Sequence, residues 1–361
     1  MKHVTFAIGS LFGGGAERVV SVWASALAEK GYKVSVIVYS RLDNEYPVNE
    51  KVEIFPIAES QAACDEMSIL KRVSVIRKTL KKIRPDVMIN FLPIMQVYIR
   101  IASLGLRIPR IETIRISPWK VEILKTKFAK LWLNCFETCK ALILQSEDQK
   151  SFFSEKVRNK SVVIPNPINP KYAENMKSTY NNLSHKIVAA GRLSLQKNYK
   201  MMIDAVKLVS VKYQDVSLEI YGIGDLEEKL ASYIKDSGLE NNVKLMGRSN
   251  ELYNIYKESD LYVMSSDYEG MPNALAEAMA IGLPCISTDC KTGPRDLIVD
   301  GENGFLVPCN DADALAEKIK TVFEMTEQMQ RQMGESARAK VLDFCGETSS
   351  LDKLVKLIES I

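Results

Sequence analysis

The stretch Ser265–Glu277, reading SSDYEGMPNALAE, carries two carboxylates on either side of a helix start. It follows the apolar run Leu261–Met264. Pro272 suits the first turn of the helix, where a missing N–H has no intrahelical partner to lose. The free N–H groups between Met271 and Ala274 then face an anion along the positive end of the helix dipole. Glu269 precedes the helix and Glu277 lies about one and a half turns inside it. A carboxylate pair of this kind accepts hydrogen bonds from the hydroxyls of a sugar or a ribose. The structural alternative is a helix-capping Glu269 and a Glu277 on the surface.

A second stretch, Ala189–Asn198, reads AAGRLSLQKN and places Arg192 and Lys197 in one loop after an apolar strand. Two cations there can neutralise a diphosphate leaving group, whose growing charge is what a transfer reaction must stabilise. Two ordinary surface cations are the competing reading. A third, GGGAER from Gly13 to Arg18, sets glycines before a helix, as a phosphate-binding turn would. It is neither G-x-G-x-x-G nor G-x-x-x-x-G-K-[ST]. The next strand ends in Tyr39-Ser40, with no acid for a ribose. A nicotinamide dehydrogenase and a P-loop enzyme are both disfavoured.

These loops need strands and helices to hold them. Val4–Ile8, then Ala16–Glu29 with Val19, Val20, Trp23 and Leu27 at helical spacing, then Lys33–Tyr39 form a βαβ unit ended by Gly31. Further strands are predicted at Val87–Phe91 and Ala141–Gln145. SVVIPNPINP, from Ser161 to Pro170, brings three prolines into six residues and marks a boundary or hinge, which the polar 175–184 continues. A second α/β series follows, with strands at Ile187–Gly191, Val216–Tyr221, Val243–Met246, Leu261–Met264 and Pro284–Ser287. Helices are expected at Met201–Tyr213, Leu226–Asp236, Asp311–Phe323 and Gly334–Ile361. The expected fold is α/β, with two Rossmann-like domains facing across a cleft and ligands bound at the carboxyl ends of the strands.

The 361 residues suit two such domains. No run of eighteen apolar residues exists, and the MKHVTFAIGS start has no signal-peptide pattern, so a cytoplasmic location is expected. Seven cysteines without paired CxxC spacing, and only His3 and His185, read as free thiols rather than a metal site. Net charge is +3, but residues 1–170 hold 26 Lys and Arg against 16 Asp and Glu, while 171–361 hold 22 against 29. A basic first half that meets an anionic partner is one explanation. Chance variation between two solvated surfaces is the other.

Taken together, GGAERVV, AAGRLSLQKN, LEIYGIGDLEEKL, EGMPNALAEAMAIGLPCIST and DGENGFLVP resemble the fourth family of retaining glycosyltransferases, over nearly the whole chain and most strongly from Gly191 to Pro308. The resemblance implies the GT-B fold. It divides the chain into an acceptor domain, 1–168, and a nucleotide-sugar donor domain, 169–342, with a C-terminal helix at about 343–361 packing back on the first. It likens Glu277 to the residue holding the ribose hydroxyls, and Glu269 to the one beside the donor sugar. Gly270, Met271, Pro272, Asn273 and Ala274 come near sugar and phosphate. Arg192 and Lys197 match the diphosphate clamp, with Gly14 and Gly15 facing it, while Gly222, Gly224 and the loop at Arg248 lie where the base binds. The family's histidine in domain one is missing here. Arg115, in ETIRISP, is its substitute or else a buried structural arginine. The implied reaction moves a sugar, from a UDP-sugar by analogy, to a glycan hydroxyl, and needs no metal or other cofactor. Relatives of this type build capsule, exopolysaccharide and lipid-linked oligosaccharide.

Ile69–Pro85, ILKRVSVIRKTLKKIRP, sets Ile69, Val73, Ile76, Leu80 and Ile83 on one stripe of a strongly basic helix. Ser117–Leu133 mixes Trp119, Phe128 and Trp132 with four lysines. Both fit a peripheral contact with the anionic cytoplasmic face of the inner membrane, or a core-packed helix with a solvated basic side. No nucleic-acid-binding motif accompanies the charge. The rival functions are an epimerase or phosphorylase on the same scaffold and an inactive partner subunit, the latter opposed by the intact Arg192, Lys197, Glu269 and Glu277.

Overall fold

A computed structural model gives the structure of the protein and describes residues 1–180 and 184–361. Of the polar stretch expected to continue the boundary, residues 181–183 lie outside the described residues. The chain divides into two compact units, Met1–Pro167 with Ser350–Ile361, and Ile168–Ser349.

The first unit holds seven strands: β1 His3–Ala7, β2 Lys33–Val38, β3 Glu53–Pro56, β4 Val87–Asn90, β5 Arg110–Thr113, β6 Ala141–Leu144 and β7 Ser161–Val163. They run parallel in the order β3-β2-β1-β4-β5-β6-β7. Strand β1 is buried on both faces, as a central strand of a parallel sheet must be. The helix Gly15–Glu29 buries Val19, Val20, Trp23 and Leu27 against it. The last helix, Glu347–Glu359, adds Leu351, Leu354 and Ile358 to the same core. Ser350 fixes its entry, accepting from Trp23 Nε1 at 3.3 Å and donating to the Pro165 carbonyl at 3.1 Å. The single helix expected over Gly334–Ile361 is two, broken at Gly346, whose N–H closes the helix Glu327–Cys345 on the Leu342 carbonyl. The segment assigned to the first unit therefore starts at Ser350, later than the expected 343.

The second unit holds β8 Lys186–Ala190, β9 Ser217–Tyr221, β10 Val243–Gly247, β11 Leu261–Met264, β12 Cys285–Thr288 and β13 Phe305–Val307. All are parallel, in the order β10-β9-β8-β11-β12-β13. The strand order reverses between β8 and β11, so the loops that leave their carboxyl ends run to opposite faces of the sheet. That opening is where open α/β sheets bind ligands.

The helix Ile69–Ile83 turns most of the stripe read from its sequence inward, and of its five residues only Ile69 is exposed. Ile76 and Leu80 are fully buried, and Val73 and Ile83 pack on the same core beside the helix Pro93–Ala102. The apolar side is used within the unit. Arg72 and Arg77 turn in to cap carbonyls of Cys64, Ala102 and Leu104. Lys71, Lys78, Lys81, Lys82 and Arg84 remain exposed. The aromatic stretch behaves alike: Trp132 is buried and donates to Gln96 Oε1 at 2.7 Å, and Trp119 sits edge-on to Phe152. Its four lysines stay outside.

Candidate active site

Two loops meet at the reversal between β8 and β11. Gly191–Asn198 follows β8, and Ser265–Pro272 follows β11. Lys197 Nζ donates to Glu269 Oε1 at 2.6 Å, a charge-assisted bond between two largely buried groups. Ser266 Oγ donates to the same oxygen at 2.7 Å, and Gln196 Nε2 to the other at 3.2 Å. Backbone bonds sew the loops together: Asp267 N–H donates to the Gln196 carbonyl at 2.8 Å, and Ser265 Oγ to the Lys197 carbonyl at 2.8 Å. Thr292 Oγ1 donates to the Glu269 carbonyl at 2.9 Å. A buried carboxylate is costly unless it is paired and hydrogen-bonded, and Glu269 has an ammonium, a hydroxyl and an amide. Neither Lys197 nor Glu269 is an ordinary surface charge.

Arg192, in the same loop, is exposed and forms no ion pair among the described residues. Its guanidinium is therefore open to an anion arriving at the loop.

The helix after the second loop runs Asn273–Ile281, with Pro272 at its N-cap (φ −80°, ψ 84°). Pro272 thus stands one position before the first turn, and Glu277 one turn inside rather than one and a half. Leu275 to Ile281 are all buried, Glu277 included. The surface reading of Glu277 fails. Tyr256 and Tyr262 lie close to it: burial raises both phenol pKa values first, and the Glu277 charge adds to it. Gly270, Met271 and Pro272 are buried at the helix entry, with Asn273 and Ala274 half-buried.

The glycines after β8 and β9 sit at backbone crossings. A Cβ on Gly222 would strike the Gly191 carbonyl oxygen, and one on Gly224 that of Leu193. The Gly222 N–H donates to Gly247 at 2.8 Å, which brings Arg248, exposed, to the edge of the same group of loops. The structure thus gathers Arg192, Lys197, Gly222, Gly224, Arg248, Glu269, Gly270–Ala274 and Glu277 at one end of one sheet.

Gly14, Gly15 and Arg115 belong to the first unit. Gly14 is the N-cap and Gly15 the first residue of the helix Gly15–Glu29. The Arg115 guanidinium lies over Trp23 at 4.6 Å and Phe91 at 5.1 Å, and its Nη1 donates to Asn166 Oδ1 at 2.9 Å. Its Nε and Nη2 are buried with no hydrogen-bond partner among the described residues, and burial pushes its pKa down to about 9.

Sequence reasoning passed over Gln196 and Ser266. Both stand in the quoted motifs, but as neutral side chains they carry no signal until the fold sets them against Glu269. Among the described residues no group of His, Cys, Asp or Glu is placed to hold a metal ion. All seven cysteines are free, six buried and Cys309 half-buried. No helix is long and apolar enough to cross a membrane.

Two family models match in succession, "Glycosyltransferase Family 4" over residues 13–172 and "Glycosyl transferases group 1" over 174–340. The chain is 27% identical over 370 residues to the Campylobacter jejuni GalNAc-α-(1→4)-GalNAc-α-(1→3)-diNAcBac-PP-undecaprenol α-1,4-N-acetyl-D-galactosaminyltransferase, covering 100% of this chain and 99% of that one. It is 28% identical over 319 residues to the Escherichia coli UDP-Gal:α-D-GlcNAc-diphosphoundecaprenol α-1,3-galactosyltransferase, covering 81% of each. Among solved structures, Anabaena HepE in complex with UDP aligns over all of both chains with a TM-score of 0.80 and 20% identity. With both of its units matched by such models and its Rossmann-like architecture shared with solved GT-B enzymes, the chain belongs to the family-four glycosyltransferases.

Proposed function

We propose that this glycosyltransferase moves a hexosyl or N-acetylhexosaminyl group, with retained anomeric configuration, from a UDP-sugar to a hydroxyl of a lipid-linked glycan in the synthesis of bacterial surface polysaccharide or oligosaccharide. The observation that carries the reading is the junction of the two loops, where Lys197, Glu269 and the entry to the Asn273–Ile281 helix meet beside an open Arg192. Support for the donor comes from the UDP named for the E. coli relative and bound in HepE. Support for the acceptor comes from the undecaprenol carriers in both relatives' names.

Arg192 and Lys197 take the diphosphate, and the first-turn N–H groups of the helix face it along the dipole. Glu277 accepts from the ribose hydroxyls and Glu269 from the donor sugar. Gly222, Gly224 and Arg248 flank the base. The acceptor oxygen attacks the anomeric carbon as its bond to the diphosphate oxygen breaks. The electron pair leaves with the diphosphate, which also takes the acceptor's proton. Two cations and a helix dipole stabilise that charge without a metal.

Calorimetric titration of UDP, GDP and ADP into the wild type and Glu277→Ala tests the donor site. UDP binds the wild type selectively, and the variant binds it roughly tenfold more weakly, the loss of a hydrogen bond to a charged group. Equal affinity in both proteins would remove Glu277 from the site, and no binding to any nucleotide would favour an inactive partner subunit.

Contact with an anionic membrane surface is the second part of the proposal. With the apolar stripe buried, attraction rests on Lys71, Lys78, Lys81 and Lys82, each worth about 1 kcal/mol near such a surface. Replacing all four by serine releases the protein from phosphatidylglycerol vesicles in co-sedimentation. Unchanged binding would sink the membrane claim.

A further inference from the structure

Lys197 is engaged before any donor arrives. Its ammonium is 2.6 Å from Glu269 Oε1, yet the proposed reaction needs it on the diphosphate. A diphosphate carries more charge than one carboxylate and presents several oxygens, so it draws the ammonium towards itself. Glu269 then loses its strongest donor while staying buried. An unpaired buried carboxylate is costly, and the Ser266 hydroxyl and Gln196 amide that remain already donate to it.

Tyr199 stands beside this exchange. It opens the helix Tyr199–Ser210, two residues after Lys197, and is 4% exposed. Its hydroxyl is buried and has no hydrogen-bond partner among the described residues. Gly191 locates it: a Cβ there would meet Lys197 Cε at 2.9 Å and the Tyr199 hydroxyl at 3.1 Å. The lysine stem and the phenol therefore share the space that a side chain at Gly191 would fill. The phenol's pKa is raised by burial first and then by the Glu269 charge, so the carboxylate is within electrostatic reach. A buried hydroxyl with no partner is unfavourable in the resting protein, and a phenol donates well to a carboxylate.

We infer that Tyr199 is a positioning residue of the transfer site, whose hydroxyl takes over the hydrogen bond to Glu269 when a donor diphosphate draws Lys197 away. The inference rests on the assignment of Lys197 to the diphosphate. The exchange keeps Glu269 hydrogen-bonded and aimed at the donor sugar during the step in which Lys197 serves the leaving group. No covalent bond changes in it.

The test is Tyr199→Phe, which keeps the ring and removes a hydroxyl that bonds nothing in the resting protein, so the fold is retained. UDP affinity is measured by calorimetry. Turnover is measured as UDP release from whichever of UDP-glucose, UDP-galactose, UDP-N-acetylglucosamine and UDP-N-acetylgalactosamine the wild type consumes. The expected result is UDP affinity and kcat/KM each about tenfold lower, with the melting temperature of the donor-free protein unchanged. Wild-type UDP affinity and kcat/KM would overturn the proposal, as would a loss matched by a lower melting temperature. A wild type that binds no UDP fails earlier, at the site assignment, and takes the proposal with it.

Discussion

Among the described residues both units bury a carboxylate–cation pair, and the two pairs are built in opposite ways. In the first unit Arg110 and Glu112 stand two residues apart on β5, hence on one face of the sheet, with Nη1 to Oε1 at 2.9 Å. Glu112 is fully buried, accepts from Asn90 Nδ2 at 3.1 Å, and leaves its second oxygen without a partner. Arg110 is tied in turn to Thr138 Oγ1 at 2.9 Å. In the second unit Lys197 and Glu269 come from loops 72 residues apart, at the carboxyl ends of strands where the sheet reverses. A pair on one strand deep in a core has no route to a ligand, whereas a pair that bridges two loops can be parted by one. Burial and pairing alone do not mark a functional site; what the groups are attached to does.

The comparison can be broken by experiment. The largest effect is expected at Lys197→Ala. Removing a donor from the leaving-group site lowers kcat by roughly 10²–10³. Stability should fall as well, because Glu269 is left buried with only Ser266 and Gln196 as side-chain donors. Wild-type turnover, or a protein that fails to fold, would make this pair structural like the other. A smaller effect is expected from Glu112. Burial pushes its pKa up from the ordinary carboxylate value to about 7, against the opposing pull of Arg110. The folded state then holds a proton that the unfolded chain has released, so the stability this group contributes is complete below about pH 4.5 and is lost as pH rises through about 7. The loss is on the order of 3 kcal/mol. In urea unfolding at pH 5, 6, 7 and 8, the wild type should weaken relative to Glu112→Gln up to pH 7 and run parallel above it. Turnover of Glu112→Gln should match the wild type. Parallel stability curves throughout would mean that Glu112 is ionised across the range.

The same contrast explains what was legible beforehand. Strands buried on both faces announced themselves as apolar runs, as at Leu261–Met264, and EGMPNALAE marked both its loop and its helix. Strand β5 went unread because RIET carries two charges in four residues, and only their mutual pairing lets it sit inside a sheet. Strand β3, EIFP, hid behind its proline, which an edge strand tolerates. Strand β7 lay inside the segment read as a boundary, again at an edge. At the site, charged residues were visible and their neutral holders were not. Ser266, Gln196 and Tyr199 matter through where the loops place them, and spacing along the chain does not record that. The stripe on Ile69–Ile83 was visible, but a helical period states only that one side is apolar, not whether core or lipid covers it.

Ser350 closes on Trp23 and Pro165, and Leu351, Leu354 and Ile358 fill the core of the first unit. During synthesis the ribosome delivers Met1–Pro167 before the second unit and this segment after it. At about 5–20 residues per second, the first unit waits on the order of ten to forty seconds for its missing helix, while the second unit is being made. Through that interval Trp23 and its apolar neighbours lack their covering, so the unit begun before the other is completed after it, and a stop codon within Ser350–Ile361 damages the core around Trp23.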